Sequence, residues 1–142
     1  MNIDGVENGI VIDHIQPGDS MRLYHLLGLG NLKCSVAIIQ NVDSKKYGRK
    51  DIIKIDEEID VDLDALGYID PRITVNLVKD GALFQKKHLE LPKTLRNIVE
   101  CMNPRCITSA EEDADQVFTL VDPERGLYRC VYCEARAEQQ EP

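Results

Sequence analysis

Apolar residues fall in short runs along this chain, and the spacing inside each run predicts an element. GIVIDHI (9–15) is β-branched and apolar, the pattern of a strand. Pro17-Gly18-Asp19-Ser20 then offers a turn and a helix N-cap before MRLYHLLGLG, where Leu23, Leu26 and Leu27 share a face and Gly28 or Gly30 can end the helix. KCSVAIIQN (33–41) predicts a second strand, with Cys34 inside it as a small apolar residue. After a turn through Asp43-Ser44-Lys45-Lys46, KDIIKID (50–56) predicts a third. Val61, Leu63 and Leu66 mark a short helix over 60–66, capped by Asp60. RITVNLV (72–78), the turn Lys79-Asp80-Gly81 and ALFQKKH (82–88) predict a closing hairpin.

The order β-α-β-β-α-β plus one strand matches a ferredoxin-like sheet with helices on one face. Leu91-Pro92 and the helix-compatible KTLRNIVE (93–100) read as a connector, with a boundary near 92–98. Beyond it, VFTLV (117–121) and LYRCV (127–131) flank DPERG as a second hairpin, and EARAEQQEP is expected to fray. The expected fold is α+β: a ferredoxin-like domain over residues 1–95, then a small zinc-ribbon (rubredoxin-like) β domain over 96–142.

Charge narrows the choice of partners. Residues 1–100 carry 13 Lys+Arg against 16 Asp+Glu, and residues 101–142 carry 4 against 9. The overall −8 is therefore concentrated in the last third, which repels a polyanion such as nucleic acid. No apolar run approaches the roughly 20 residues of a membrane span, and MNIDGVENG lacks the basic and apolar parts of a signal peptide. A cytoplasmic location is expected, where cysteines are metal-bound or free rather than disulfide-bonded.

Four of the five cysteines lie in the tail, as Cys101-x4-Cys106 and Cys130-x2-Cys133, with 23 residues between the pairs. Two short Cys loops at that distance suit two knuckles facing each other across the hairpin. Four thiolates complete a tetrahedral zinc ion and leave no position open for substrate, so the site predicts structure rather than catalysis. Iron is the competitor, since rubredoxin-like sites use the same donors. A zinc-ribbon nucleic-acid-binding protein is a further alternative, against which the acidic tail speaks.

Elsewhere, Asp13-His14 lies on the first strand, with Lys50 and Lys54 on the third and Lys86 and Lys87 on the fifth. Each lysine alone is explained by solvation. Together with His14 they supply the donors that hold phosphates through charge-assisted hydrogen bonds, provided they share a face. GLGN (28–31) follows no strand and is a helix terminus, not a phosphate loop. The acidic run DEEIDVDLDALGYIDP fails as a calcium loop, because the turn glycine would fall on Ala65 and the bidentate glutamate on Pro71. No catalytic triad or carboxylate pair assembles, and no catalytic residue is assigned.

Taken in order, VIDHI (11–15), GRKDIIKID (48–56), TVN (74–76), LP (91–92), CMNPRCIT and CVYCE resemble the regulatory chain of aspartate carbamoyltransferase, from about Val6 to Glu134. The resemblance implies a non-catalytic subunit whose first domain binds CTP, ATP or UTP and pairs with a second regulatory chain. Its zinc domain would dock on the catalytic chain and convey allosteric control of pyrimidine biosynthesis. Carried over by position, Asp13, His14, Lys54, Asn76 and Lys86 match polar nucleotide contacts, and Val11 and Val78 match apolar positions around base and ribose. His14 and Lys86 would face the phosphates, with Lys54 and Asp13 at the nucleoside end. Cys101, Cys106, Cys130 and Cys133 match the zinc ligands. Few residues precede Val6, so contacts made there by longer members are expected to be missing. Gly81 stands where well-known members carry an aromatic, so one wall of the base pocket is expected to be bare.

Overall fold

The computed structural model describes residues 5–138 and divides the chain into two compact units, residues 1–90 and 91–142. In the first, β1 (Gly9–Ile15), α1 (Ser20–Leu26), β2 (Val36–Ser44), β3 (Gly48–Ile55), α2 (Leu63–Ile69), β4 (Thr74–Lys79) and β5 (Ala82–His88) follow in sequence. The strands form one sheet in the order β2-β3-β1-β4-β5, every pair antiparallel. This is the α+β ferredoxin-like arrangement with β5 added at the edge. Alternation of side chains sends Ile10, Ile12, Ile53, Ile55 and Val75 to one face. There they bury together with Leu23 of α1, Leu66 of α2 and Leu29 of a 3-10 turn. The other face carries a smaller apolar group of Val6, Val11 and Val78, flanked by Ile52.

Several local expectations give way to tertiary packing. Helix α2 starts at Leu63, and its cap is Asp62, which accepts a hydrogen bond from the Ala65 N–H at 3.1 Å; Asp60 is exposed. Leu26 is also exposed, because Leu29 from the turn after α1 fills the core in its place. Gly28 ends that helix in the left-handed region at φ 64°. Cys34 lies in a bend ahead of β2, which starts at Val36. In the β4–β5 turn Asp80 and Gly81 both have positive φ, 51° and 77°, the geometry that joins two twisted strands with a two-residue loop.

The second unit holds a sheet of β6 (Thr94–Arg96), β7 (Val117–Asp122) and β8 (Leu127–Cys130), and a one-turn helix α3 (Ile107–Ala110). The helix-compatible run 93–100 is thus a strand at its start. Leu95 is buried opposite Phe118, whereas Thr94 and Arg96 face solvent. Three alternating residues are too few to stand out against the helical spacing of Leu95, Ile98 and Val99. The residues after Cys133 do not fray where they are described. Cys130 N–H donates to Ala135 O at 2.9 Å and Ala137 N–H to Tyr128 O at 2.9 Å, so the chain returns along β8. Residues 139–142 of the expected frayed tail lie outside the described residues. Among those residues no helix is long and apolar enough to cross a membrane.

Candidate functional site

Two places gather chemistry-bearing side chains, one in each unit. The first is the sheet face turned away from the helices. Register aligns Lys54 of β3 with Val11 of β1, Val11 with Asn76 of β4, and Asn76 with Lys86 of β5. Four of the sequence-derived positions thus form one row across four strands. Two residues along, Asp13 is opposite Thr74, and Thr74 opposite His88. Lys50, four residues from Lys54, is on the same face and pairs with Asp13 at 3.0 Å, both side chains mostly buried.

His14 reaches this face through a bulge. The register of β1 against β3 breaks between Ile12 and Ile15, and His14 takes φ 60°. One extra residue there returns Ile15 to the core and leaves Asp13 and His14 together on the open side. His14 Nδ1 lies 2.9 Å from Thr74 Oγ1, and the His14 N–H donates to Asp13 Oδ1 at 2.7 Å. Burial lowers the His14 pKa, and Lys50, Lys86 and Lys46 add to this against the opposing pull of Asp13. The ring is therefore neutral near pH 7, in a field that favours an incoming anion.

The side of the row away from His14 is apolar. Val6 packs over Val11 and Val78, and the bend at Glu7–Asn8 is tied to the β4–β5 turn. Gly81 N–H donates to Glu7 O at 2.8 Å and Asp80 N–H to Asn8 Oδ1 at 3.2 Å. A side chain at Gly81 would meet the Glu7 carboxylate 3.8 Å from its Cβ. The face thus runs from an apolar end at Val6–Val11–Val78 to a cationic end at His14.

Lys87 does not belong to it. It pairs with Val75, whose side chain is in the core, and therefore points to the helix side. There it lines a separate cleft of about 310 Å³ with Glu58, Lys79 and Phe84. Conversely, sequence reasoning treated Lys46 as a turn residue and gave Tyr47 no role, yet the Tyr47 ring meets the His14 ring edge-to-face at 5.8 Å. Asp51 was also passed over. It is fully buried, and its parity with Ile53 and Ile55 was the available signal that it points inward.

The second place is the cysteine cluster. The four Sγ atoms lie within 4.8 Å of one another. Cys101 and Cys133 are 3.5 Å apart, and Cys106 and Cys130 3.8 Å. A tetrahedron with metal–sulfur bonds of about 2.3 Å has edges of about 3.8 Å, so the donors fit a four-coordinate ion with no position left over. Thr108 Oγ1 donates to Cys106 Sγ at 3.2 Å, and the Cys101 N–H is held by Gln116 Oε1 at 2.9 Å. The Ala135 N–H and the Asn103 side chain draw the Cys133 thiol down to about 6, whereas burial pushes Cys101 up to about 12. The cluster thus offers thiolate, and metal binding displaces the remaining protons. Cys34 stands apart from it.

Comparison with known proteins agrees with this two-part arrangement. A family model described as aspartate carbamoyltransferase regulatory chain, allosteric domain, matches residues 1–90, and one described as its metal binding domain matches 93–142. The chain is 47% identical over 134 residues to the aspartate carbamoyltransferase regulatory chain of Clostridium botulinum, covering 94% of this chain and 92% of that one. To the corresponding chain of Clostridium tetani it is 47% identical over 135 residues, 94% of each. To that of Bifidobacterium longum it is 43% identical over 138 residues, 97% of this chain and 99% of the relative.

Proposed function

The chain belongs to the family of aspartate carbamoyltransferase regulatory chains, and from that premise we propose that it binds the nucleotides CTP, ATP or UTP on the open face of its first domain and relays their binding to catalytic chains through a zinc-bearing second domain. It is a regulatory chain with an allosteric and a metal-binding domain, not a catalytic one. The single observation that carries the effector reading is the row Lys54–Val11–Asn76–Lys86, flanked on one side by His14 and on the other by Val78. Base and ribose rest at the valine end, where Lys54 and Asn76 offer polar contacts, and the phosphates face His14 and Lys86; Asp13, expected at the nucleoside end, lies beside His14 instead. In this reading Cys101, Cys106, Cys130 and Cys133 hold one zinc ion, which when bound supplies a rigid cross-link and no reaction. The work is done in the cytoplasm, where the thiols stay reduced.

Calorimetric titration of CTP, ATP and UTP into the metal-loaded chain, alone and with catalytic trimers, tests the reading. Saturable binding that shifts when trimers and a bisubstrate analogue are added supports it, because coupling between sites is reciprocal and typically about 1–3 kcal/mol. Lys86→Ala is expected to weaken triphosphate binding about tenfold, the scale of one charge-assisted hydrogen bond, without dissociating subunits. Unchanged affinity would remove Lys86 from the site.

The surface around the knuckles supports docking to the catalytic chain. Met102, Ile107, Val131 and Tyr132 are all more than two-fifths exposed, and each lies within a knuckle or beside one of its cysteines. An apolar group clustered over a metal site that is itself closed is the mark of a protein contact. Val131→Asp is expected to retain the metal and lose affinity for catalytic trimers by about a hundredfold, the effect of a central contact residue. A sedimentation profile like that of the unaltered chain would place the contact elsewhere. Pairing with a second regulatory chain is supported by β2, a nine-residue strand with one unpaired edge in the sheet order.

A further inference from the structure

We propose that Lys46, positioned by Tyr47 at the tip of the β2–β3 hairpin, takes the terminal phosphates of a nucleoside triphosphate, so that the effector face selects by phosphate-chain length. The inference rests on the nucleotide reading above and goes beyond it, since neither residue belongs to the row across the sheet.

Strand register places the tip. Lys54 is opposite Val11 and Asp51 opposite Ile15, so the first residues of β3 run on past the end of β1. The turn at 45–47 therefore overhangs the strand end where His14 sits. From Val11 to His14 is three residues, about 10 Å at the usual strand rise. A ligand with its nucleoside at Val11 and Val78 thus directs its phosphate chain along β1 towards His14, and beyond His14 it meets the hairpin.

Tyr47 organises that end. Its ring receives the edge of His14 at 5.8 Å, and both Lys46 Nζ at 5.3 Å and the Arg72 guanidinium at 5.4 Å rest over it. Arg72 is already committed to Asp70, through Nε and Nη2, and to Gln16. Lys50 is committed to Asp13. Among the described residues neither Lys46 nor Lys86 forms an ion pair. These two cations approach His14 from different hairpins. A single phosphate at His14 and Lys86 leaves Lys46 unused, whereas a longer chain engages both. Tyr47 is a positioning residue in this arrangement: it holds His14 and Lys46 to one ring.

The test is calorimetry of CTP, CDP and CMP with the full chain and with Lys46→Ala, Lys46→Arg, Tyr47→Ala and Tyr47→Phe. The unaltered chain is expected to prefer CTP to CMP. Lys46→Ala should lose about tenfold for CTP and less than about twofold for CMP, a difference that one charge-assisted contact accounts for. Lys46→Arg and Tyr47→Phe should keep the preference, and Tyr47→Ala should reduce it. A CTP-to-CMP ratio unaltered by Lys46→Ala overturns the inference while leaving the effector face intact, as does an equal loss for all three ligands. Failure of every nucleotide to bind the unaltered chain overturns the effector reading itself, and the inference with it.

Discussion

Removing the metal, or replacing Cys106 with Ala, is expected to unfold the second unit and release the catalytic chains. The apolar residues of that unit buried to under a tenth exposure, apart from cysteine, are Leu95, Val117, Phe118 and Tyr128. A core of that size rarely supplies more than about 3–5 kcal/mol, whereas structural zinc contributes about 10–16 kcal/mol in small peptides. Cys106 is the ligand whose loss reaches furthest. It is buried, accepts from Thr108, and is the residue from which α3 starts. The first knuckle would then keep the bond from the Cys101 N–H to Gln116, and the second the β7–β8 ladder. Metal analysis of the loaded protein should return zinc in a colourless solution. Sedimentation after chelation should show free catalytic trimers, and Cys34→Ser should change neither. An assembly that persists after confirmed metal loss would contradict the account.

The second large effect is expected at Asp51. Its carboxylate is fully buried, forms no ion pair among the described residues, and is satisfied by backbone instead. Oδ1 accepts from the Asn41 N–H at 2.8 Å, and Oδ2 from the N–H of Gly18 at 3.0 Å and of Ser20 at 3.4 Å. These bonds pin the turn after β1 to β3 and to Asn41, where the register of β2 breaks and φ is 57°, and so fix the bulge that presents His14. Asp51→Ala takes a charged acceptor from three backbone donors, of which that of Ser20 is buried, a loss of about 3–5 kcal/mol. That is a large part of the roughly 5–15 kcal/mol a domain possesses. Urea unfolding at pH 7 reads it directly, and an unchanged midpoint would sink the claim.

The same carboxylate sets an acid limit. Burial raises its pKa, but the Asn41 N–H, the Ser20 hydroxyl and the Gly18 and Ser20 N–H groups outweigh that and hold it below the usual carboxylate range. A group depressed in the folded state contributes its full stability above the unfolded value of about 3.9, and loses it as pH falls through the folded one. Stability should therefore drop with acid below about pH 4. Asp51→Asn should be weaker at pH 7 and flatter over that range.

The division between sequence and structure follows the range of the interactions involved. β1 and β5 begin and end where their alternation predicts, at Gly9–Ile15 and Ala82–His88. The four cysteines were recognisable from spacing alone, because a knuckle is closed by residues a few positions apart. The helix-like run at 93–100 and the cap assigned to Asp60 misled for the complementary reason. Local propensity there was weak, and pairing of Leu95 with Phe118 or the reach of Asp62 decided the outcome.

The open face of the first unit was legible as a set of residues but not as a surface. Period-two alternation already separated Lys86 from Lys87, yet only the pairing of Val75 with Lys87, and of Asn76 with Lys86, settled which of them faces the open side. His14 joins Thr74 through a bulge that local pattern does not predict, and Tyr47 reaches His14 across 33 residues of chain. The sequence by itself determined the alternating elements, the metal donors and the acidic balance, since each depends on neighbours along the chain. Tertiary structure alone decided which cations share a face, where His14 stands on it and why a buried aspartate is tolerated. Those depend on strand register and on backbone donors brought together from distant segments, and neither is carried by any single stretch of residues.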